Sequence, residues 1–128
     1  MEYLLDTHTF LWMRHTPQRL GPAVSAICAD PDSKLSLSLV SAWEIAIKLS
    51  IGKLRLPQPL AQILADARTH RGIATLPIEE KHVLRVEHLP FHHRDPFDRL
   101  LAAQALEDGL IFLSADTTFD AYAVKRVW

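Results

Sequence analysis

Cysteine is nearly absent. Cys28 stands alone among 128 residues, which excludes an internal disulfide and suits a reducing compartment, so the expected location is the cytoplasm. Neither sign of charge is in excess. Fourteen Lys and Arg against fifteen Asp and Glu leave a formal net charge of −1. No global field therefore draws the chain to nucleic acid, and any such binding must come from a local basic patch. No apolar run is long enough to span a bilayer, and MEYLLD carries an acid where a signal peptide would carry positive charge, so no membrane role is expected. Internal repeats and linkers are also missing. What is present is ordinary: 48% hydrophobic and 23% charged residues argue against disorder, and the length suits one domain, residues 1–128, with one substantial core.

The apolar pattern alternates short strand-like runs with longer helical ones. Met1–Leu5 reads as a strand ending at Asp6, followed by helices over Thr7–Arg14 and Pro22–Ala29. Residues 33–40, SKLSLSLV, alternate leucine with serine as a strand does, and SAWEIAIKLSIGKL then opens a helix with Ser41 as N-cap. A helix over 60–72 ends at Gly72, a strand covers 73–77, and helices run to Pro90 and from Asp95 to Gly109. LIFLSAD, 110–116, is the last clear strand before a polar turn and AVKRVW. This rhythm predicts an α/β fold: a three-layer α/β/α sandwich with a central parallel sheet. Ligand sites in such sheets lie outside the carboxyl ends of the strands.

Four acids fall where that rule asks. Asp6 terminates the first strand, Asp116 follows LIFLS, Glu44 lies early in the helix after the second strand, and Asp98 lies in the first turn of DPFDRLLAAQALEDG. Each has a plainer reading. Ser41-Ala42-Trp43-Glu44 fits a capping box, and Asp6 and Asp116 fit turns after strands. Asp98 departs from that pattern. Asp95 and Pro96 already supply a cap and a first helical residue, while Asp98 stacks over Leu101, Ala102 and Ala105 on the apolar stripe. A bare charge there is expensive and needs a cation or a proton. Four converging carboxylates repel by several kcal/mol at an effective dielectric of about 20. Protonation relieves this, and so does a divalent metal, for which all-oxygen ligation favours Mg²⁺ or Mn²⁺ over zinc. Such a cluster suits phosphodiester hydrolysis.

LLDTHTFLW, SLVSAWEIAIK, HRDPFDRLLAAQA and LSAD, in that order across essentially the whole chain, resemble the PIN domain, and within it the VapC-type toxins of bacterial toxin–antitoxin pairs. The resemblance implies a PIN-like fold and a ribonuclease that needs Mg²⁺ or Mn²⁺ and acts on an RNA substrate. It also implies a small VapB-like antitoxin partner whose C-terminal segment lies across the helices and reaches the active site. The family's acids map onto Asp6, Glu44, Asp98 and Asp116 as catalytic, metal-binding residues, with Asp6 and Asp98 the firmest direct ligands. Two local departures stand out. His8 occupies a position that is often Ser or Asn, and the final Thr-x-Asp is Ser114-Ala115-Asp116, which keeps the hydroxyl.

Two other readings compete. A phosphatase of the haloacid-dehalogenase type wants a second acid where His8 stands, and a receiver-like, non-catalytic acidic metal-binding domain wants a phosphoacceptor aspartate that SLSLVSAWE lacks. Each leaves two or more of the four acids unexplained. The seven histidines raise zinc, but no cysteine pair accompanies them, and adjacent His92 and His93 would point to opposite sides of an extended segment, so solvated loop histidines are expected. Arg14, Lys53, Arg55, Arg94 and Arg99 are candidate phosphate contacts. One near-neutral protomer offers only a modest patch, which suggests a homodimer. Lys48 is placed either to pair with Glu44 or to reach phosphate. Trp43 is expected in the core, and of Phe10 and Trp12 one is expected outside it.

Overall fold

The computed structural model describes residues 1–92 and 94–128, so the expectation for the His92–His93 pair lies partly outside the described residues. Strands β1 (Glu2–Leu5), β2 (Lys34–Ser38), β3 (Ala74–Leu76), β4 (Ile111–Leu113) and β5 (Arg126–Val127) alternate with helices α1 (Thr7–His15), α2 (Pro22–Ala29), α3 (Leu39–Ser50), α4 (Leu60–His70), α5 (Glu80–Glu87) and α6 (Pro96–Asp108). Short 3-10 turns cover Pro17–Arg19 and Thr117–Tyr122. The strands form one sheet in the order β3-β2-β1-β4-β5, and every pairing is parallel.

Period-two alternation sorts the strand residues into two cores. Leu5, Leu35, Leu37 and Leu113 point to one face, where Phe10 and Met13 of α1, Val24 of α2, Ile45 of α3 and Ile63 of α4 cover them. Leu4 and Phe112 point to the other, against Leu101, Ala102 and Ala105 of α6 and Phe119 and Tyr122 of the second 3-10 turn. The expected three-layer α/β/α sandwich is therefore what forms. Among the described residues, no helix is long and apolar enough to cross a membrane.

One boundary differs from expectation. Ser38, not Ser41, caps α3: its hydroxyl accepts from the Val40 amide at 3.0 Å and donates to Gln104 at 2.5 Å. Ser41 is fully buried inside the helix. Leu39 and Val40 extend the strand pattern on paper, but Val40 packs with Leu4 and the α6 alanines, and that contact draws the chain into helix early. Glu44 thus sits in the second turn and forms no capping box. Two glycines follow the expected logic, since Gly109 ends α6 at φ 65° and Gly72 follows α4 at φ 63°, in the left-handed region.

Gly21, at the N-cap of α2, is required for another reason. A Cβ there would meet the Trp128 carbonyl carbon at 2.5 Å and its ring at 2.7 Å. Gly21→Ala is expected to cost about 1–3 kcal/mol through overpacking, read as a lower midpoint in chemical denaturation at unchanged cooperativity.

Candidate active site

All strands run one way and α6 returns against them, so the N-terminus of α6 meets the carboxyl edge of the sheet. That geometry explains how Asp98, in a helix that precedes its strand, joins residues that follow theirs. The sheet reverses its strand order beside β1, where β2 lies on one side and β4 on the other. The crevice at such a switch point is where α/β sheets bind ligands, and Asp6 stands at its mouth.

Asp6 is buried and caps α1, with Oδ1 accepting from the Thr7 amide at 2.8 Å. Its Oδ2 accepts from the fully buried Ser114 hydroxyl at 2.6 Å, and that same hydroxyl oxygen accepts from the Asp116 amide at 3.0 Å. Ser114 therefore joins two of the candidate acids, which gives the Ser-x-Asp spacing a physical reason. Burial holds the Asp6 carboxyl above its usual range despite the hydrogen bonds from Ser114 and Thr7.

Glu44 is also buried. Its Oε1 accepts from the Thr7 hydroxyl at 2.8 Å, and its Oε2 pairs with Lys48 at 3.1 Å. The Thr7 oxygen also lies 2.9 Å from Ser41 Oγ. Having one proton, Thr7 donates to Glu44 and accepts from Ser41. Lys48 thus takes the ion-pair role. Asp116 caps the second 3-10 turn and accepts from the amide and hydroxyl of Thr118 at 2.9 and 2.6 Å.

Asp95 caps α6 as expected, accepting from the Phe97 and Asp98 amides at 2.8 and 3.4 Å. Asp98 is half-buried, and its carboxyl is pushed up to about 8, first by burial and then by the charges of Asp95, Asp6, Glu44 and Asp116. All three other candidates therefore reach Asp98 electrostatically, with Asp95 as a fourth and larger contributor. They are not drawn together as a ligand set: among the described residues, no three His, Cys, Asp or Glu side chains are grouped to hold a metal ion as they stand. The donor chemistry nonetheless fits a hard divalent cation. The side chains are all carboxylates, their charges together raise the Asp98 carboxyl, and Mg²⁺ commonly takes only one or two carboxylates alongside water and phosphate oxygens.

Several other expectations change. Arg99 is not a phosphate contact. It is buried, donates to the carbonyls of Pro90 and Val86 at 3.0 and 3.2 Å, and lies 4.6 Å from the centroid of the Phe91 ring. These carbonyls at and beyond the end of α5 satisfy a cation that would otherwise be costly to bury. Trp43 is outside the core at 55% exposure, edge-on to Phe97 at 4.8 Å. His82 is fully buried rather than solvated. Phe10 is buried and Trp12 half-buried, as the spacing on α1 requires. Thr7 and Ser114 are the hydroxyls that hold the acids; the Ser-x-Asp spacing signals Ser114, whereas Thr7 has no signal beyond its place beside an aspartate at a strand end. A cleft of about 190 Å³ opens at this edge, lined by Asp6, His8, Thr9, Trp12, Ala115 and Asp116.

Comparison with known proteins gives a consistent picture. The family model described as PIN domain matches residues 3–125. Ribonuclease VapC22 of Mycobacterium tuberculosis is 30% identical over 129 residues, covering 98% of this chain and 97% of that protein. Ribonuclease VapC16 of the same organism is 39% identical over 72 residues, 54% of this chain and 50% of that protein. Among solved structures, VapBC2 from Rickettsia felis bound to a promoter DNA fragment superposes with a TM-score of 0.74 at 13% identity, over 99% of this chain and 98% of that one. VapBC-1 from nontypeable Haemophilus influenzae gives 0.65 at 20% identity, over 99% and 97%. At these identities the likeness to solved structures shows the fold.

The raised Asp98 carboxyl has a consequence for stability with a definite sign. Between its unfolded value near 3.8 and its folded value of about 8, the folded state keeps a proton that the unfolded state releases. Metal-free stability should therefore fall as pH rises from about 4, with the loss complete above about 8. Asp98→Asn removes this slope. Denaturation midpoints at pH 5, 7 and 9 in chelator should show the variant gaining on wild type as pH rises.

Proposed function

We infer that this chain, which belongs to the PIN domain family, is a metal-dependent endoribonuclease, the toxin of a toxin–antitoxin pair, formed by a single PIN domain over residues 1–128. One observation carries the reading. A half-buried carboxylate at the start of α6 feels the charge of Asp6, Glu44 and Asp116 across the switch point of a parallel sheet. The near full-length relationship to a protein named as a ribonuclease supports the choice of RNA as substrate, and the VapBC complexes among fold neighbours support a small VapB-like antitoxin as partner. Cytoplasmic location and a homodimer that pools two modest basic surfaces complete the proposal.

Asp6, Glu44, Asp98 and Asp116 would hold Mg²⁺ or Mn²⁺. The ion, when bound, lowers the pKa of its water and stabilises charge on the attacked phosphate. The protein's part is to hold the acids. The Thr7 amide and Ser114 hydroxyl fix both oxygens of Asp6, so its carboxylate is oriented before substrate arrives. Thr7 and Lys48 likewise fix Glu44. Asp98, whose carboxyl is raised, would have to lose its proton to serve as a ligand.

Asp6→Asn and Asp98→Asn should each reduce cleavage of single-stranded or structured RNA by about 1000-fold or more, with circular dichroism spectra unchanged. EDTA should abolish cleavage and added Mg²⁺ or Mn²⁺ restore it. Wild-type cleavage by a folded Asp98→Asn protein, or cleavage that persists in EDTA, would remove this mechanism.

A further inference from the structure

We propose that the cleft along the outer flank of α1 is a base-stacking subsite for the RNA strand running from the acidic cleft, with Trp12 as its platform and Arg19 and Arg55 as its cations. It rests on the ribonuclease reading above and adds to it the place where the strand is gripped.

Continuity comes first. The acidic cleft of about 190 Å³ contains Asp6 and Asp116, and it shares two lining residues, His8 and Trp12, with a larger neighbour of about 420 Å³. His8 and Trp12 lie one turn apart on α1, with ring centroids 5.8 Å apart and planes inclined by 34°. His15, one turn further, lines both this cleft and a third of about 460 Å³ beside Arg14 and Arg71. A path therefore leads from the acids along one face of α1 towards exposed Arg71, with Arg14 held in an ion pair with Asp66.

Charge complementarity favours a polyanion. Among the described residues, none that lines the Trp12 cleft is acidic, whereas Arg55 is exposed at its wall. Arg19, also exposed, sets its guanidinium 4.7 Å from the Trp12 ring centroid. The acid cleft repels phosphate unless a cation intervenes; its neighbour attracts it. The apolar walls from Leu11, Leu54 and Leu56 suit the flat face of a base, and a guanidinium can close over a base as readily as over an indole.

The platform is rigid. Trp12 meets Trp128 edge-on at 5.7 Å, and its neighbours Phe10 and Met13 anchor the other face of α1 in the core. Binding therefore orders little that is not already ordered, and stacking passes into affinity with small loss. Because every base presents a π-face, this subsite reads strand geometry rather than sequence.

The test uses the full chain carrying Asp98→Asn to block turnover, with single-stranded oligoribonucleotides bearing 2-aminopurine at successive positions. Quenching at one position near the scissile phosphate is expected. Trp12→Leu should remove it and weaken binding about tenfold. Arg55→Gln, an exposed change that leaves packing untouched, should weaken binding and lower the dependence of log affinity on log salt by about 0.7, one single-strand phosphate contact. In chains with Asp98 intact, both variants should slow cleavage of long RNA more than cleavage of a dinucleotide too short to reach the cleft. Unchanged RNA affinity and salt slope in Arg55→Gln, with quenching retained in Trp12→Leu, overturn the subsite and leave the cleft to a peptide partner. If Trp12→Leu fails to fold, the Arg55→Gln salt slope decides. Quenching at one position with no metal-dependent cleavage by wild type would uphold the subsite and remove the ribonuclease reading, so the two fail separately.

Discussion

Carboxylates gathered at one edge of a sheet repel one another, and much of the local structure is arranged to bear that repulsion. Asp98 shows its size: burial and four neighbouring acids hold its proton to about pH 8. The supports are drawn from the fold itself. Asp6 and Asp116 sit at helix or turn starts, where amide N–H groups favour negative charge. The Ser114 hydroxyl turns its proton to Asp6 and its lone pair to the Asp116 amide. Thr7 serves Asp6 through its amide and Glu44 through its hydroxyl. The same contacts that finish β1 and β4 thus keep the acids close without letting them relax apart. A fold selected only for stability would not concentrate like charge in this way.

Buried polar networks elsewhere in the molecule have a different purpose. Gln104, fully buried on α6, accepts from Ser38 at 2.5 Å and donates to the Pro77 carbonyl at 3.1 Å, joining the end of β2, the loop after β3 and α6. His82 accepts the Glu79 amide on Nδ1 at 3.0 Å, which leaves its proton on Nε2, 2.9 Å from Asp108. Lys81 completes that cluster at 2.8 Å from Asp108. With Arg99, these groups fasten α5 to α6. A histidine, an aspartate and a lysine in contact look like chemistry, yet they lie at the far end of α6 from Asp98, and each satisfies another. What distinguishes the acidic edge is like charge brought close enough to raise the Asp98 carboxyl, not polarity that is buried.

The parallel sheet was legible because its signal is local: leucine alternating with serine over 34–38, and helices bounded by Pro96 and Gly109. The separation of Asp95 from Asp98 was legible for the same reason, since capping and helical stacking follow from spacing alone. The strand-and-helix rhythm placed Asp6 and Asp116 after their strands and Asp98 at the start of α6, and Asp98 feels the charge of Asp6, Glu44 and Asp116 without the four forming a ligand set. What spacing does not carry is packing between distant elements. Val40 starts α3 early because Leu4 and α6 receive it. Arg99 turns inward because carbonyls at the end of α5 await it. Trp43 lies outside because α3 turns its other sides to the two cores. The two-residue strand β5 is too short to leave any periodic mark.

The seam between β1 and β4 joins the two ends of the chain. Ser114 lies 108 residues from the Asp6 it contacts, and the Leu113 carbonyl 104 residues from the Thr9 hydroxyl bonded to it. Closing so long a loop is slow and is repaid only when the intervening layers are in place. A form in which this seam is open lacks the acidic edge altogether. The acids then lie on separate, solvated segments with nothing to hold them together. The acidic edge thus depends on contacts of long sequence separation rather than on local ones.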